Sequence, residues 1–188
     1  DFLVRGVAYV RCVSTMGVHT VFKPHLLKDK LPHGKIEAIA AYYNRVMIGT
    51  ADGSLLLYVV NASKDSHTGE DKFSAFAQDC RTGFAEKKKA IQQLLPLPEL
   101  DLLLTLVDGQ VMQHKLRKLE PKAPVKGLKG CTFFTLKKQD GNYFMAAVSK
   151  KKLLIFEWFD GEGEFQFVKE FVLPDVPKTV AWSGLMVC

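Results

Sequence analysis

A chain of 188 residues is long enough to bury a substantial core, and its 47% hydrophobic and 24% charged residues are ordinary for a globular protein. The net charge of +6 comes mostly from three clusters, Lys87-Lys88-Lys89, Lys137-Lys138 and Lys150-Lys151-Lys152, which suit solvated loops and hairpin tips or attraction to acidic surfaces. No aromatic-interleaved basic motif accompanies them, which argues against a nucleic-acid partner, and no apolar run approaches the roughly 20 residues of a membrane helix.

Residues 1–15 have weak β character without a repeat partner. They read as an N-terminal extension, or as a translated leader with Met16 as the natural start; Arg5 and Arg11 interrupt any signal-peptide pattern. Pro24 lacks a backbone donor and places residues 21–31 at a sheet edge or in a loop, and Pro32-His33-Gly34 marks a turn.

The first full repeat follows, with strands expected over 36–41, 46–50 and 55–60. Asn44-Arg45 breaks the first pair and Asp52-Gly53 the second. An Asp-Gly pair between apolar runs suits a type I′ hairpin, whose two central residues need positive φ. Residues 62–72 are polar and read as an exposed loop before an outer strand near 73–77. Residues 78–89 connect onward, with a short helix conceivable at the lysine end.

The second repeat has strands over 91–97, 102–107 and 111–116, again with Asp108-Gly109 in the hairpin position. Pro121, Pro124, Gly127 and Gly130 leave room for only a ragged outer strand. The third repeat spans 131–136, 143–148 and 153–158, with a fourth strand over 165–172. A fourth repeat begins over 179–182 and 185–188. The repeats start near residues 36, 91, 131 and 179, spacings of 55, 40 and 48. These bracket the roughly 40–50 residues of a four-stranded propeller blade. The connections are too polar, or too broken by Pro and Gly, for the long amphipathic helices of an α/β fold. The expected fold is all-β: a partial β-propeller of about three four-stranded blades plus the start of a fourth, and so a fragment of a longer protein.

The four cysteines, Cys12, Cys80, Cys131 and Cys188, form no C-x-x-C pair and read as reduced thiols of a cytosolic protein. His19, His25, His33, His67 and His114 occur singly, with no metal-binding spacing; His114, within an apolar strand, reads as a surface or satisfied sheet residue. Asp52 and Asp108 are better explained as turn formers than as paired acids. Gly161-Glu162-Gly163-Glu164 after Asp160 lacks the spacing of a calcium loop and reads as a hairpin tip. Phosphate-loop and nucleophile-elbow motifs are missing from the sequence. The aromatic group Phe133, Phe134, Phe156, Trp158, Phe159, Phe165, Phe167 and Phe171 is accounted for by packing between blades. No catalytic, cofactor-binding or metal-binding residue is assigned, and the chain reads as a scaffold that binds partners. The rival class, a propeller enzyme or ligand binder with a polar channel, would need carboxylates or histidines on inner strands 36–41 and 131–136, which offer almost none.

Two stretches carry a family resemblance. Val125-Lys126-Gly127-Leu128-Lys129 leading into Gly130-Cys131-Thr132-Phe133-Phe134 resembles the K-G-x-x-x-F strand of citron homology (CNH) domains, and 148–158 resembles that domain's next hairpin. Phe171-Val172-Leu173-Pro174-Asp175-Val176-Pro177-Lys178, followed by Val180-Ala181-Trp182, is more specific and is similar to CNH domains of the Vam/Vps family of HOPS-type tethering subunits. Residues 36–58 and 89–95 fit the same alignment, so the resemblance spans 16–188. It implies part of a seven-bladed CNH propeller, followed in the full protein by an α-solenoid. It also implies a non-enzymatic, cofactor-free, cytoplasmic role in tethering late endosomes, autophagosomes and lysosomes. The implied partners are other HOPS subunits and a late-endosomal Rab GTPase, with peripheral association at the late endosome or lysosome (vacuole) membrane. No short Rab-binding motif transfers residue by residue. A CORVET-type paralogue, similar to the TGF-β receptor-associated protein, stays open beside it; citron-type kinases share the domain but not the Pro-Asp-Val-Pro run.

Overall fold

The computed structural model describes residues 7–12, 22–28, 30–32, 34–183 and 186–187, with side chains described only within 25–183. The boundary at Met16, together with His19, His33 and Cys188, lies outside the described residues.

Three four-stranded antiparallel sheets follow one another in the chain, each in simple meander order. Blade 1 is β3 (Ile36–Tyr42), β4 (Arg45–Thr50), β5 (Leu55–Lys64) and β6 (Asp71–Arg81). Blade 2 is β7 (Ile91–Leu97), β8 (Leu102–Val107), β9 (Gln110–Lys115) and β10 (Pro121–Pro124). Blade 3 is β11 (Cys131–Gln139), β12 (Asn142–Ser149), β13 (Lys152–Phe159) and β14 (Glu164–Val172). Two-stranded pairs flank them in sequence: β1 (Val7–Cys12) with β2 (Phe22–Lys28), and β15 (Trp182–Ser183) with β16 (Met186–Val187). The expected all-β, partial-propeller architecture is present.

Several local expectations are corrected. The weak β character within 1–15 corresponds to β1, which pairs β2 with Val10 opposite Pro24. In a two-stranded ribbon the missing proline N–H can face outward. The break near Asn44-Arg45 is a Tyr43-Asn44 turn, and Arg45 joins the ladder opposite both Tyr42 and Val59. Both ends of the polar 62–72 segment are strand, since β5 and β6 pair as far as Lys64 and Asp71. A two-stranded extension wet on both faces needs no apolar side chains, and the Asp65 carboxylate closes its tip by accepting the His67 and Thr68 N–H groups at 2.9 and 3.0 Å. The strand expected over 179–182 is reduced to Trp182–Ser183. Val180 is instead buried against the blade 3 face containing Val148 and Leu153.

The two Asp-Gly turns also differ. Asp108 and Gly109 have φ of 49° and 74° between paired Val107 and Gln110, as the type I′ expectation requires. At Asp52-Gly53 only Gly53 has positive φ, 77°, and Thr50 N–H donates to Ser54 O at 3.1 Å around a three-residue loop. This is the type I turn plus left-handed glycine. Asp52 favours it by accepting the Ser54 N–H at 3.1 Å.

Stacking explains the strand sequences. Each middle strand is covered on both faces, so it reads as a continuous apolar run rather than an alternation. In β4, Val46 and Ile48 join Leu27 on one side, while Met47 joins Ile91, Leu94 and Leu103 of blade 2 on the other. Between blades 2 and 3, Leu102, Leu104 and Leu106 meet Phe134, Phe156 and Phe165, each at most 2% exposed. Gln93 on β7 acts there as a backbone surrogate. Its amide donates to Phe134 O at 2.6 Å and accepts from Phe134 N–H at 3.2 Å, tying inner strand to inner strand. The aromatic group is thus partly interblade packing, as expected, but Phe159 at the end of β13 and Phe167 and Phe171 on the outer strand β14 stand 45%, 54% and 42% exposed.

Blade 1 and blade 2 approach closely where a side chain is missing. A Cβ on Gly49 would lie 2.8 Å from Ile91 Cβ and Cγ2 and 3.2 Å from Ile91 O. Gly49→Ala is expected to cost about 1–3 kcal/mol through overpacking against backbone. Gly161→Ala, which meets nothing within 4 Å, should stay within about 0.5 kcal/mol. Urea midpoints of the two variants check the contrast.

Candidate interaction surfaces

Meander order sends alternate turns to opposite ends of a sheet. The turn between the second and third strands of each blade (51–54, 108–109, 150–151) therefore shares an end with the connector to the next blade. Backbone hydrogen bonds join the two: Ala85 N–H to Gly53 O at 3.0 Å, Cys131 N–H to Gly109 O at 2.9 Å, and Leu173 N–H to Lys151 O at 2.8 Å. Turns and connectors thereby form one continuous arc along one end of the blades.

That arc is basic. Its segments 51–54, 82–90, 108–109, 125–130, 150–151 and 173–181 carry Lys87, Lys88, Lys89, Lys126, Lys129, Lys150, Lys151 and Lys178 against Asp52, Glu86, Asp108 and Asp175. The opposite-end loops (43–44, 65–70, 98–101, 116–120, 140–141, 160–163) carry Asp65, Glu70, Glu99, Asp101, Glu120, Asp140, Asp160 and Glu162 against only Arg117 and Lys118. Glu99 there takes hydrogen bonds from Lys138 and the Tyr143 hydroxyl, which hold its carboxyl below the usual range. Two of the lysine clusters thus fall on one end, whereas Lys137 and Lys138 lie toward the other. The turn parity that separates them is implicit in the repeat pattern, and this signal could have located the basic end from sequence.

Two recesses open on the basic side. A shallow basin of ≈ 760 Å³ between the blade 2–3 connector and blade 3 is lined by Lys129, Lys150, Lys151 and Lys152, the last paired with Glu170 at 3.1 Å, and by the apolar Leu154 and Val172. A smaller groove of ≈ 340 Å³ lies between the 84–89 connector and blade 2, lined by Phe84, Lys87, Lys89, Met112, Pro124 and His114 among others.

His114 is not a surface residue. It is 5% exposed, shares a hydrogen bond with the Thr105 hydroxyl through Nε2 at 3.0 Å, and lies under the Phe84 ring with centroids 4.6 Å apart. Its Nδ1 is buried with no partner among the described residues, so the expected satisfied sheet histidine is only half satisfied. Nothing in its sequence context distinguishes it from an exposed strand residue. Burial lowers its pKa from 6.5 to about 4.

The remaining candidates lie apart from one another. Asp52 closes its own turn, Asp108 faces Lys89 at 3.5 Å in the next turn, and the 160–164 tip is a hairpin in which Glu164 pairs with Lys126 at 2.8 Å. His25 packs on Phe73 and His67 sits in the β5–β6 tip. Cys131 is buried, its thiol donating to Phe133 O at 3.3 Å and pushed up to about 11 by burial, while Cys80 is exposed. Among the described residues no group of three His, Cys, Asp or Glu side chains is placed to hold a metal ion, and no helix is long and apolar enough to cross a membrane.

Comparison with known proteins places this geometry. The family model described as "CNH domain" matches residues 42–188. The chain is 28% identical over 184 residues to the human (Homo sapiens) "Vam6/Vps39-like protein", covering 91% of this chain and 20% of that one. It is 28% identical over 177 residues to the bovine (Bos taurus) "Transforming growth factor-beta receptor-associated protein 1", with the same coverage of 91% and 20%. The chain therefore spans about a fifth of the length of these relatives. In fold it is similar to the computationally designed Ika4 protein, with a TM-score of 0.51 at 16% identity over 94% of this chain and 89% of that one.

His114 gives the site a pH signature. Between pH 6.5 and about 4 the unfolded chain binds a proton at this imidazole that the folded chain refuses. Its stabilising contribution is therefore complete above pH 6.5 and lost as pH falls toward 4. From pH 7 to pH 4.5, wild type should lose about 2–3 kcal/mol more than His114→Leu. Urea unfolding of both proteins at the two pH values checks the difference.

Proposed function

The chain belongs to the CNH domain family, and on that premise we propose that it is the propeller module of a HOPS-type tethering subunit. It acts as a non-enzymatic interaction platform in endosome- or autophagosome-to-lysosome (vacuole) tethering. It works from the cytoplasmic side as a peripheral membrane component, as one part of a seven-bladed ring. Its partners are other HOPS subunits and a late-endosomal Rab GTPase. The observation that carries the reading is the match to a vacuolar sorting relative, the Vam6/Vps39-like protein, across 91% of the chain. The site geometry is compatible with it: the exposed features are charged turns and shallow recesses, which suit macromolecular docking more than small-molecule chemistry.

A CORVET-type assignment is the second reading, favoured by equal coverage of the TGF-β receptor-associated relative. One experiment tests both. Full-length tagged protein is captured from cell lysate on endosomal Rab GTPases loaded with GTP or GDP, and co-purifying subunits are identified by mass spectrometry. Retention on a GTP-loaded late-endosomal Rab with HOPS subunits is the expected result. Recovery of CORVET-specific subunits instead moves the chain to the second reading, and recovery of neither sinks the tethering proposal.

A further inference from the structure

We infer that the basic end of the blades is a docking surface for anionic membrane lipid. The inference rests on the peripheral-membrane part of the function proposed above and gives that contact a location. Three observations on the connector end carry it.

The first is charge segregation. Positive charge is concentrated on turns and connectors at one end, with carboxylates concentrated at the other. Lys87, Lys88, Lys129, Lys150 and Lys178 are exposed and form no ion pair among the described residues, so their ammonium groups are available to an outside partner.

The second is residue type. The segments of this arc hold lysine and no arginine. Lysine presents a mobile point charge on a flexible stem, suited to a fluid layer of headgroups, whereas base edges and fixed phosphates favour the planar arginine fork. The exposed apolar side chains beside them are Phe171, Val172 and Val176, 42%, 74% and 48% exposed, and one exposed ring is not the series of stacking platforms that successive single-stranded bases need. Aliphatic groups among lysines match the boundary between headgroups and acyl chains.

The third is backbone cost. Lys87, Lys88 and Lys150 have φ of 56°, 53° and 54°. Glycine, asparagine and aspartate enter that left-handed region most readily, as Asp101 and Asp140 do at the opposite end. Tyr43 and Leu119 also adopt it there, with φ of 50° and 55°, so the conformation is not confined to the basic end; at the basic end it holds three ammonium groups out on tight turns.

The test is flotation of the purified full-length protein with phosphatidylcholine vesicles, alone or mixed with phosphatidylserine. Binding is expected only to the mixed vesicles and should weaken steeply with added salt. The triple variant K88E/K150E/K178E should lose about a hundredfold in partitioning, since each lysine near an anionic surface is worth about fivefold. The control K64E/K72E/K118E makes the same net-charge change near the opposite end and should stay within about twofold of wild type. Matching thermal unfolding of both triples confirms that the variants are folded. Equal loss in both triples would mean that net charge alone governs binding, and would overturn the assignment. Absence of binding to anionic vesicles, or binding to duplex DNA at least as tight, would also overturn it. Because vesicle binding needs no tethering subunit or Rab, its failure leaves the capture result standing.

Discussion

The architecture depends on one repeated backbone contact: a connector N–H donating to a carbonyl in the preceding blade's second hairpin. It recurs at Ala85–Gly53, Cys131–Gly109 and Leu173–Lys151, at 2.8–3.0 Å. Each such bond fixes where the chain must be when it begins the next blade, and so sets the pitch of the stack. The contact also explains the glycines. A Cβ on Gly53 would lie 2.8 Å from Lys89 O, and one on Gly109 would lie 3.2 Å from Gly130 Cα. Gly53 and Gly109 have positive φ as well, so turn geometry and interblade clearance demand glycine together. Asp-Gly is therefore a seam element as much as a turn.

Most of the strand order was legible because burial on both faces leaves an unmistakable trace. Runs such as Leu102–Val107 and the buried part of Asn142–Ser149 are nearly all apolar between turn residues. What escaped were features that leave no hydrophobic trace. The outer ends of β5 and β6 are exposed and polar, so their ladder is invisible to a hydrophobic pattern although its backbone bonds are regular. Gln93 looked like any polar strand residue, yet its amide supplies both interblade hydrogen bonds to Phe134. The family resemblance, not the physics of the residues, pointed toward tethering. The surfaces on which partners would dock required knowing which turns share an end.

Blade 2 shows how a local sequence choice shapes the surface. Pro121 and Pro124 restrict β10 to pairing opposite His114 and Met112 only, because proline gives no ladder donor. A fuller outer strand would cover more of blade 3. Instead, Lys122 spans the gap, donating to Gly163 O at 3.1 Å with its ammonium 5.7 Å from the Trp158 ring centroid, and Lys126 reaches Glu164. The rim is joined by long polar side chains where a strand might have run, and the basin bearing Lys129 and Lys150 stays open beside it. The same two prolines protect this edge against adding another strand.

Distance decides whether the charge separation matters. A six-residue strand such as β8 rises about 20 Å, while charges in physiological salt are screened over about 8 Å. Apart from the outer edge, where Lys126 reaches Glu164 at 2.8 Å, the two ends are therefore largely screened from each other: carboxylates at the far end do little to cancel the field above Lys88 and Lys150. The net charge of +6 is in this respect a poor description of the molecule. An approaching anionic surface responds to the nearest end, where lysines outnumber carboxylates two to one. The meander topology that buries the core also sorts the turns by sign, so the fold itself makes one end of the propeller chemically distinct from the other.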